Sequence, residues 1–259
     1  MSADLVPVFD KDGKTIREVS ISPIFKFDIR QRLIQRAYVI TSRAWYQPKG
    51  RDPMAGKRTS AKSWGVDRGL SRVPRLSSGR ARFAPSVVKG RLAHPPISTK
   101  KLHKKINKKE RLRAILSAIS ATANQELVRS RGHRIDQLRL PIILDSEVKK
   151  LSRTSEVRGM LENFGLSEEL KRVEDFRERS GASARRGRRV KRKVGPLIVV
   201  DEICPLQKAS SNIPGVEVIN ARRLGIRELV PGGQPGRLTL WLEPAIQVLE
   251  RRLIKTNAE

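Results

Sequence analysis

From residue 44 to residue 97 the chain shows no stretch whose apolar residues recur with period 2 or 3.6, the two spacings that mark strands and helices. Gly50, Gly56, Gly65, Gly69, Gly79 and Gly90 interrupt it, and so do Pro48, Pro53, Pro74, Pro85, Pro95 and Pro96. Glycine loses the most conformational freedom when fixed and proline lacks a backbone donor, so regular structure is disfavoured throughout. A segment of this length inside a folded domain is functional or disordered. Drawn out and back, about 27 residues each way reach on the order of 90 Å, several times the depth of a small domain. Any core must therefore come from residues 1–43 and 98–259, read as one globular body, with 44–97 as a long extended internal loop.

Charge divides the chain in the same way. Residues 43–98 hold 13 Lys and Arg against two Asp, residues 99–113 hold eight against one Glu, and residues 179–193 hold eight against none. These segments supply +26 of a formal net charge of +29, leaving the other 173 residues nearly neutral. One charge run is usually a solvated face, but three runs holding almost all the excess imply a polyanionic partner, most simply nucleic acid. Trp45, Tyr46, Trp64 and Phe83 stand among the cations of the long segment, where aromatic faces can stack on bases. Packing on the core is the alternative for Trp45 and Tyr46.

The framework reads as α/β. Residues 5–9 and 15–21 flank an Asp10-Lys11-Asp12-Gly13 turn and predict a hairpin. Ile29, Leu33, Ile34, Ala37 and Ile40 predict a helix over 27–43, and Ser98 and Thr99 can cap a second helix reaching Ile119. Further on, short apolar strands are expected at 141–145, 196–201, 216–219 and 238–241. Helices are expected at 155–164, 167–176, 221–230 and 244–253, with Gly165 ending the first of them. Strands alternating with helices argue for a mostly parallel sheet flanked by helices, resembling a doubly wound fold. Residues 179–195 read as a second basic loop within the body.

Chemistry is harder to find. His94, His103, His133 and Cys204 have no zinc-ligand spacing, and no Walker loop, no dinucleotide fingerprint after a strand and no H-E-x-x-H occurs. Gly232-Gly233 and Gly236 sit between a helix and a strand, as a turn would. Asp145 and Asp201 end strands, where α/β enzymes place acids, but strand termination or helix capping explains them more simply. No apolar run is long enough to span a membrane, and Met1-Ser2-Ala3-Asp4 lacks the start of a secretory leader. A single cysteine fits a reducing compartment. We expect no catalytic residue, metal, cofactor or small-molecule substrate.

The stretch from Gly50 through Asp52-Pro53-Met54-Ala55-Gly56-Lys57-Arg58 to Ser63-Trp64-Gly65 is distinctive. So are Arg68-Gly69-Leu70-Ser71-Arg72-Val73-Pro74-Arg75, Gly79-Arg80-Ala81-Arg82-Phe83 and Gly90-Arg91-Leu92-Ala93-His94-Pro95-Pro96. Together these closely resemble the long internal loop of the universal large-subunit ribosomal protein family called L four, in its archaeal branch. Arg186-Gly187-Arg188-Arg189 before Gly195-Pro196-Leu197-Ile198-Val199 is similar to the family's second basic loop, and Leu238-Thr239-Leu240-Trp241 with Glu243 to its last strand and helix. The resemblance implies a structural constituent of the large ribosomal subunit, cytoplasmic and on the ribosome. It also implies a body that binds 23S-type rRNA and abuts neighbouring large-subunit proteins, with a loop lining part of the nascent polypeptide exit tunnel.

Carried over residue by residue, rRNA binding falls on Lys49, Arg51, Lys57, Arg58, Lys89 and Arg91 along the stem and on Arg185, Arg186, Arg188 and Arg189 in the second loop. Trp64, Gly65, Arg68, Gly69, Arg72, Arg75, Arg80 and Arg82 form the tunnel-facing tip, and its Trp and Arg residues also contact rRNA. Lys62 and Asp67 depart from the family pattern, which often has an acid and a glycine there. Two rivals stand beside this reading: an RNA-modifying enzyme with a nucleotide-cofactor site on the sheet, and a chromatin-like DNA-binding protein. Residues 44–97 and 180–194 are expected to order only against RNA, having little apolar area to bury.

Overall fold

A computed structural model describes residues 5–135 and 138–253; Met1–Asp4, read above for a leader, lie outside this range. The chain divides into two compact units, residues 1–42 with 105–259 and residues 43–104.

The first unit begins with β1 (Leu5–Phe9) and β2 (Thr15–Ser20), an antiparallel hairpin whose turn places Gly13 at φ +78°. Next come α1 (Gln31–Ser42), α2 (Lys108–Ala123), α3 (Gln125–Ser130) and β3 (Ile142–Leu144). A 3-10 turn at Ser146–Lys150 leads to α4 (Thr154–Asn163) and α5 (Ser167–Glu174). The second basic segment holds β4 (Arg177–Glu178), α6 (Gly181–Arg185) and β5 (Val190–Lys191). The chain finishes with β6 (Leu197–Val200), α7 (Pro205–Ser210), β7 (Glu217–Asn220), α8 (Ile226–Leu229), β8 (Thr239–Leu242) and α9 (Glu243–Leu253).

Six strands form one sheet in the order β2-β1-β3-β8-β6-β7, parallel except where β2 meets β1. Every residue of β3, β6 and β8 is buried, as a parallel sheet covered on both faces requires. Register identifies the two faces. Phe9, Leu144 and Leu242 lie abreast, whereas Trp241 precedes Leu242 and so points to the opposite side. Phe9 packs edge-on against Phe164 at the end of α4, and Trp241 edge-on against Phe25. α4 therefore covers one side, and the 3-10 turn Pro23–Phe25, whose Ile24 carbonyl accepts from Ser120 of α2, covers the other, in agreement with the α/β reading.

Several helix boundaries differ from the sequence pattern, each for a visible reason. The second helix starts at Lys108, not near Ser98. Lys100, Lys101, Lys104, Lys105, Lys108 and Lys109 would stack like charges four residues apart, so a helix through them repels itself. It starts where Glu110 enters the first turn, 3.3 Å from Arg36. The first helix starts at Gln31 because α2 holds the residues before it. The Ser120 hydroxyl accepts from the Phe27 amide at 3.0 Å, and that of Ser117 from the Arg30 amide at 2.6 Å. The expected helix at 221–230 shrinks to four residues, since Arg252 donates to the carbonyls of Ala221 (2.8 Å) and Leu224 (3.1 Å). Gly165, at φ +71°, ends α4 as read from the sequence.

Candidate nucleic-acid interface

Residues 43–104 have almost no regular structure, and tight turns take its place. Isolated bridges join Lys62 to Arg75 and Arg75 to Ala81. Arg75 is half-buried and fixes this fold-back: its guanidinium donates to the Gly79 carbonyl at 2.9 Å and to the Ser71 hydroxyl at 2.9 Å. Arg82 donates to the Val88 carbonyl at 2.9 Å, and Arg91 lies 6.0 Å from the centre of the Phe83 ring. Arg58 pairs with Asp52 and holds that carboxyl below its ordinary value. Of the loop cations read as RNA-binding, Arg75, Arg82 and Arg91 thus support the loop's own shape. Lys49, Arg51, Lys57, Arg58, Arg68, Arg72, Arg80 and Lys89 are exposed.

Two glycines are required by geometry. At Gly56 (φ +78°) a Cβ would lie 2.7 Å from the Arg91 Cα, and at Gly90 a Cβ would run into the Ala84 carbonyl. Asp67 adopts φ +60°, one of three non-glycine residues with positive φ among those described. Aspartate tolerates this left-handed conformation better than most residues, which accounts for its standing where glycine was expected. Trp64 borders Gly79, with its ring edge 4.0 Å from where a Cβ would be. Gly65 and Gly69 also have positive φ.

Trp45 and Tyr46 are exposed, Trp45 to 73%. Within this unit they line a cavity of about 970 Å³ together with Lys49, Pro95, Pro96 and Ile97.

The second basic segment is more ordered than a plain loop. β4 and β5 form a two-residue antiparallel ribbon with Arg177 opposite Lys191 and Glu178 opposite Val190. Arg185, Arg186, Arg188 and Arg189 are exposed, and Arg189 lies 3.0 Å from Glu178. Sequence reading missed a set of cations that folding gathers beside the ribbon: Arg131, Arg172, Arg177, Lys191, Arg192 and Lys193 line one pocket. Behind it Glu169 is fully buried, accepting from His133 Nδ1 at 2.6 Å, from Arg172 at 2.7 Å and from the Arg134 amide at 3.1 Å. Burial opposes the charge on Glu169, but the hydrogen bonds from Arg172 and His133 prevail and hold its pKa below the ordinary value. His133 is also pulled down, because burial outweighs its bond to Glu169.

At the carboxyl edge of the sheet, where an enzyme of this class would place its site, the acids hold structure together. Asp145 accepts from the Glu147 amide at 3.1 Å and caps the 3-10 turn, as the sequence suggested. Asp201 lies 3.3 Å from Lys149, and Glu243 pairs with Arg17. Cys204 precedes α7 with its thiol pKa raised by burial. Among the described residues no group of three His, Cys, Asp or Glu side chains comes together as a metal site. Nor is any described helix long and apolar enough to cross a membrane.

An α/β frame that carries most of its excess cations outside the sheet, with Asp145 in a cap and Asp201 and Glu243 in ion pairs at the sheet edge, is the architecture of a cation-presenting α/β protein. Known proteins say which. A model of the Ribosomal protein L4/L1 family matches residues 19–252. The chain is 47% identical over 248 residues to the large ribosomal subunit protein uL4 of Sulfurisphaera tokodaii, covering 95% of this chain and 93% of that one. It is 45% identical over 252 residues to that of Saccharolobus solfataricus (96% and 94%), and 43% identical over 249 residues to that of Methanococcus aeolicus (95% and 99%). The chain belongs to the ribosomal protein L4/L1 family, in its archaeal branch. It is a structural constituent of the cytoplasmic ribosome and acts in translation; the reading as an RNA-modifying enzyme falls with this finding.

Proposed function

We propose that this protein is a large-subunit constituent that binds 23S-type rRNA through its two cationic segments, while residues 1–43 and 98–259 form the body that anchors them. The observation that carries this reading is the concentration of charge in these segments, 12 Lys and Arg against two Asp over 44–97 and eight against none over 179–193, with nine long-loop cations exposed around backbone turns that Arg75, Arg82 and Arg91 stabilise. Glycines let backbone approach RNA closely, and exposed arginines can fork onto phosphates or stack on unpaired bases. Lys49, Arg51, Lys57, Arg58, Lys89 and Arg91 serve the stem of the 44–97 loop, and Arg185, Arg186, Arg188 and Arg189 serve the 179–195 segment.

The part between Trp64 and Arg82, including Gly65, Arg68, Gly69, Arg72, Arg75 and Arg80, is the tip that lines the exit tunnel and meets the nascent polypeptide. The body abuts neighbouring large-subunit proteins. Both basic segments reach their working conformation against RNA.

Two measurements test this. Affinity for large-subunit rRNA should fall steeply with salt, by about 0.7–0.9 logs per log of salt for each phosphate neutralised, and a flat response would refute RNA binding. A photo-crosslinker replacing Arg72 should capture nascent chain in translating ribosomes; capture only of RNA would place the tip elsewhere. Equal affinity for duplex DNA would show that the cationic segments do not select RNA.

A further inference from the structure

The pocket beside the β4–β5 ribbon has a volume of about 470 Å³ and gathers six cations: Arg131, Arg172, Arg177, Lys191, Arg192 and Lys193. No carboxylate is among its lining residues. The acids nearest in sequence are already committed. Glu169 is enclosed by His133 and Arg172, Asp175 lies 2.6 Å from Lys193, and Glu178 pairs with Arg189.

Two of the cations are fixed. Arg131 donates to the carbonyls of Gln234 and Pro231, and Arg172 to the Val194 carbonyl at 2.7 Å and to Glu169. Burial, with Arg237 and Arg172 nearby, pushes the Arg131 guanidinium down to about 10. The remaining arms, Arg177, Lys191 and Arg192, are exposed at the ribbon.

The ribbon itself poses the question. Arg177 and Lys191 are register partners, and like charges placed directly opposite on an antiparallel pair destabilise it. The ladder is only two residues per strand, and the cross-strand pairs Glu178–Arg189 and Asp175–Lys193 flank the opposed arms without neutralising them. An oxyanion between the opposed arms turns the repulsion into two charge-assisted hydrogen bonds, above a floor of guanidiniums already held in place.

We propose that this pocket binds a phosphate group, with Arg131 and Arg172 as its fixed floor and Arg177, Lys191 and Arg192 as arms that close as the ribbon orders around it. This deepens the RNA-binding reading by naming a backbone phosphodiester as the ligand at a site away from the long loop; free phosphate or pyrophosphate carries the same chemistry.

The test follows amide exchange of Arg177, Glu178, Val190 and Lys191 in the full chain, alone, with inorganic pyrophosphate, and with a large-subunit rRNA fragment. Exchange should slow with RNA, and R177Q/K191Q should bind that RNA at least tenfold more weakly. Its salt slope should be lower by about 0.7, the contribution of one phosphate. Without any anion the same variant should exchange more slowly than the parent, because the repulsion is gone. Protection by RNA and not by pyrophosphate identifies the phosphodiester, and protection by pyrophosphate alone identifies a free anion. If RNA binds with a steep salt dependence while the ribbon stays unprotected and the variant keeps the parental slope, the pocket is refuted and the RNA reading stands. If only pyrophosphate protects the ribbon and RNA affinity ignores salt, the RNA reading fails and the pocket survives.

Discussion

Arg237, only 1% exposed, reaches through the body to donate to the Glu217 carboxylate at 2.7 Å, and that carboxylate is itself 57% exposed. The same guanidinium donates to the carbonyls of Gly195 at 3.0 Å and Glu228 at 2.8 Å. One side chain thus ties the approach to β8 to the approach to β6, the start of β7 and the end of α8. Burial pulls its pKa below the ordinary arginine value, while Glu217 opposes that shift.

Arg237→Met should lower the unfolding free energy by about 3–5 kcal/mol, because it strands two buried carbonyls as well as the ion pair. Glu217→Ala should cost less, roughly 1–3 kcal/mol, since water can reach the vacated position. Urea unfolding of the full chain checks the order of the two, and equal costs would contradict it.

Acidification should weaken the body in two steps. His133 titrates lower in the folded state than in the unfolded chain, so its contribution is complete above the unfolded value near 6.5 and declines as pH falls below it. Glu169 is likewise held low, and its contribution fades as pH drops through the carboxylate range. Stability measured from pH 7 downward should therefore fall monotonically. Glu169→Gln should shrink the lower step, leaving the part due to Asp175 beside Lys193, while destabilising the protein at pH 7.

Gly215 has φ +72°, and a Cβ there would collide with Val173 and lie 3.1 Å from the Gly195 amide. Gly215→Ala should cost about 2–4 kcal/mol in thermal or urea unfolding. Gly65→Ala also sits at positive φ, but nothing lies within 4 Å and it belongs to the other unit, so body unfolding should be unchanged.

Deleting residues 60–84 should leave the unfolding free energy of the body within about 0.5 kcal/mol of the parent, because no strand or helix of the sheet lies in that range. The deletion removes six cations, Lys62, Arg68, Arg72, Arg75, Arg80 and Arg82. The salt slope of rRNA binding should then drop by up to about four, at roughly 0.7 per phosphate, and filter binding at several salt concentrations reads it.

Much of the body is legible in the sequence. Pro196-Leu197-Ile198-Val199-Val200-Asp201 is apolar throughout and bounded by a proline and an acid, and it becomes β6 buried on both faces. The Asp10 to Gly13 turn and the stop at Gly165 follow from backbone conformations that glycine adopts most easily. Short elements escaped notice. The six residues of α3 and of α7 are too few to display a helical period. Arg237 looked like any other arginine near a turn, since nothing local marks a cation whose acceptors lie on three other segments.

The distribution of charge, the separation of an aperiodic glycine- and proline-rich segment from a strand–helix body, and the family itself were fixed by the order of residues, because period and net charge are local sums along the chain. The tertiary structure decided where α1 and α2 begin, which arginines are spent on carbonyls and which stay exposed, and that Arg131, Arg172 and Arg192 share one pocket. Those outcomes depend on hydrogen bonds and fields between segments far apart in sequence, which exist only once the sheet brings them together.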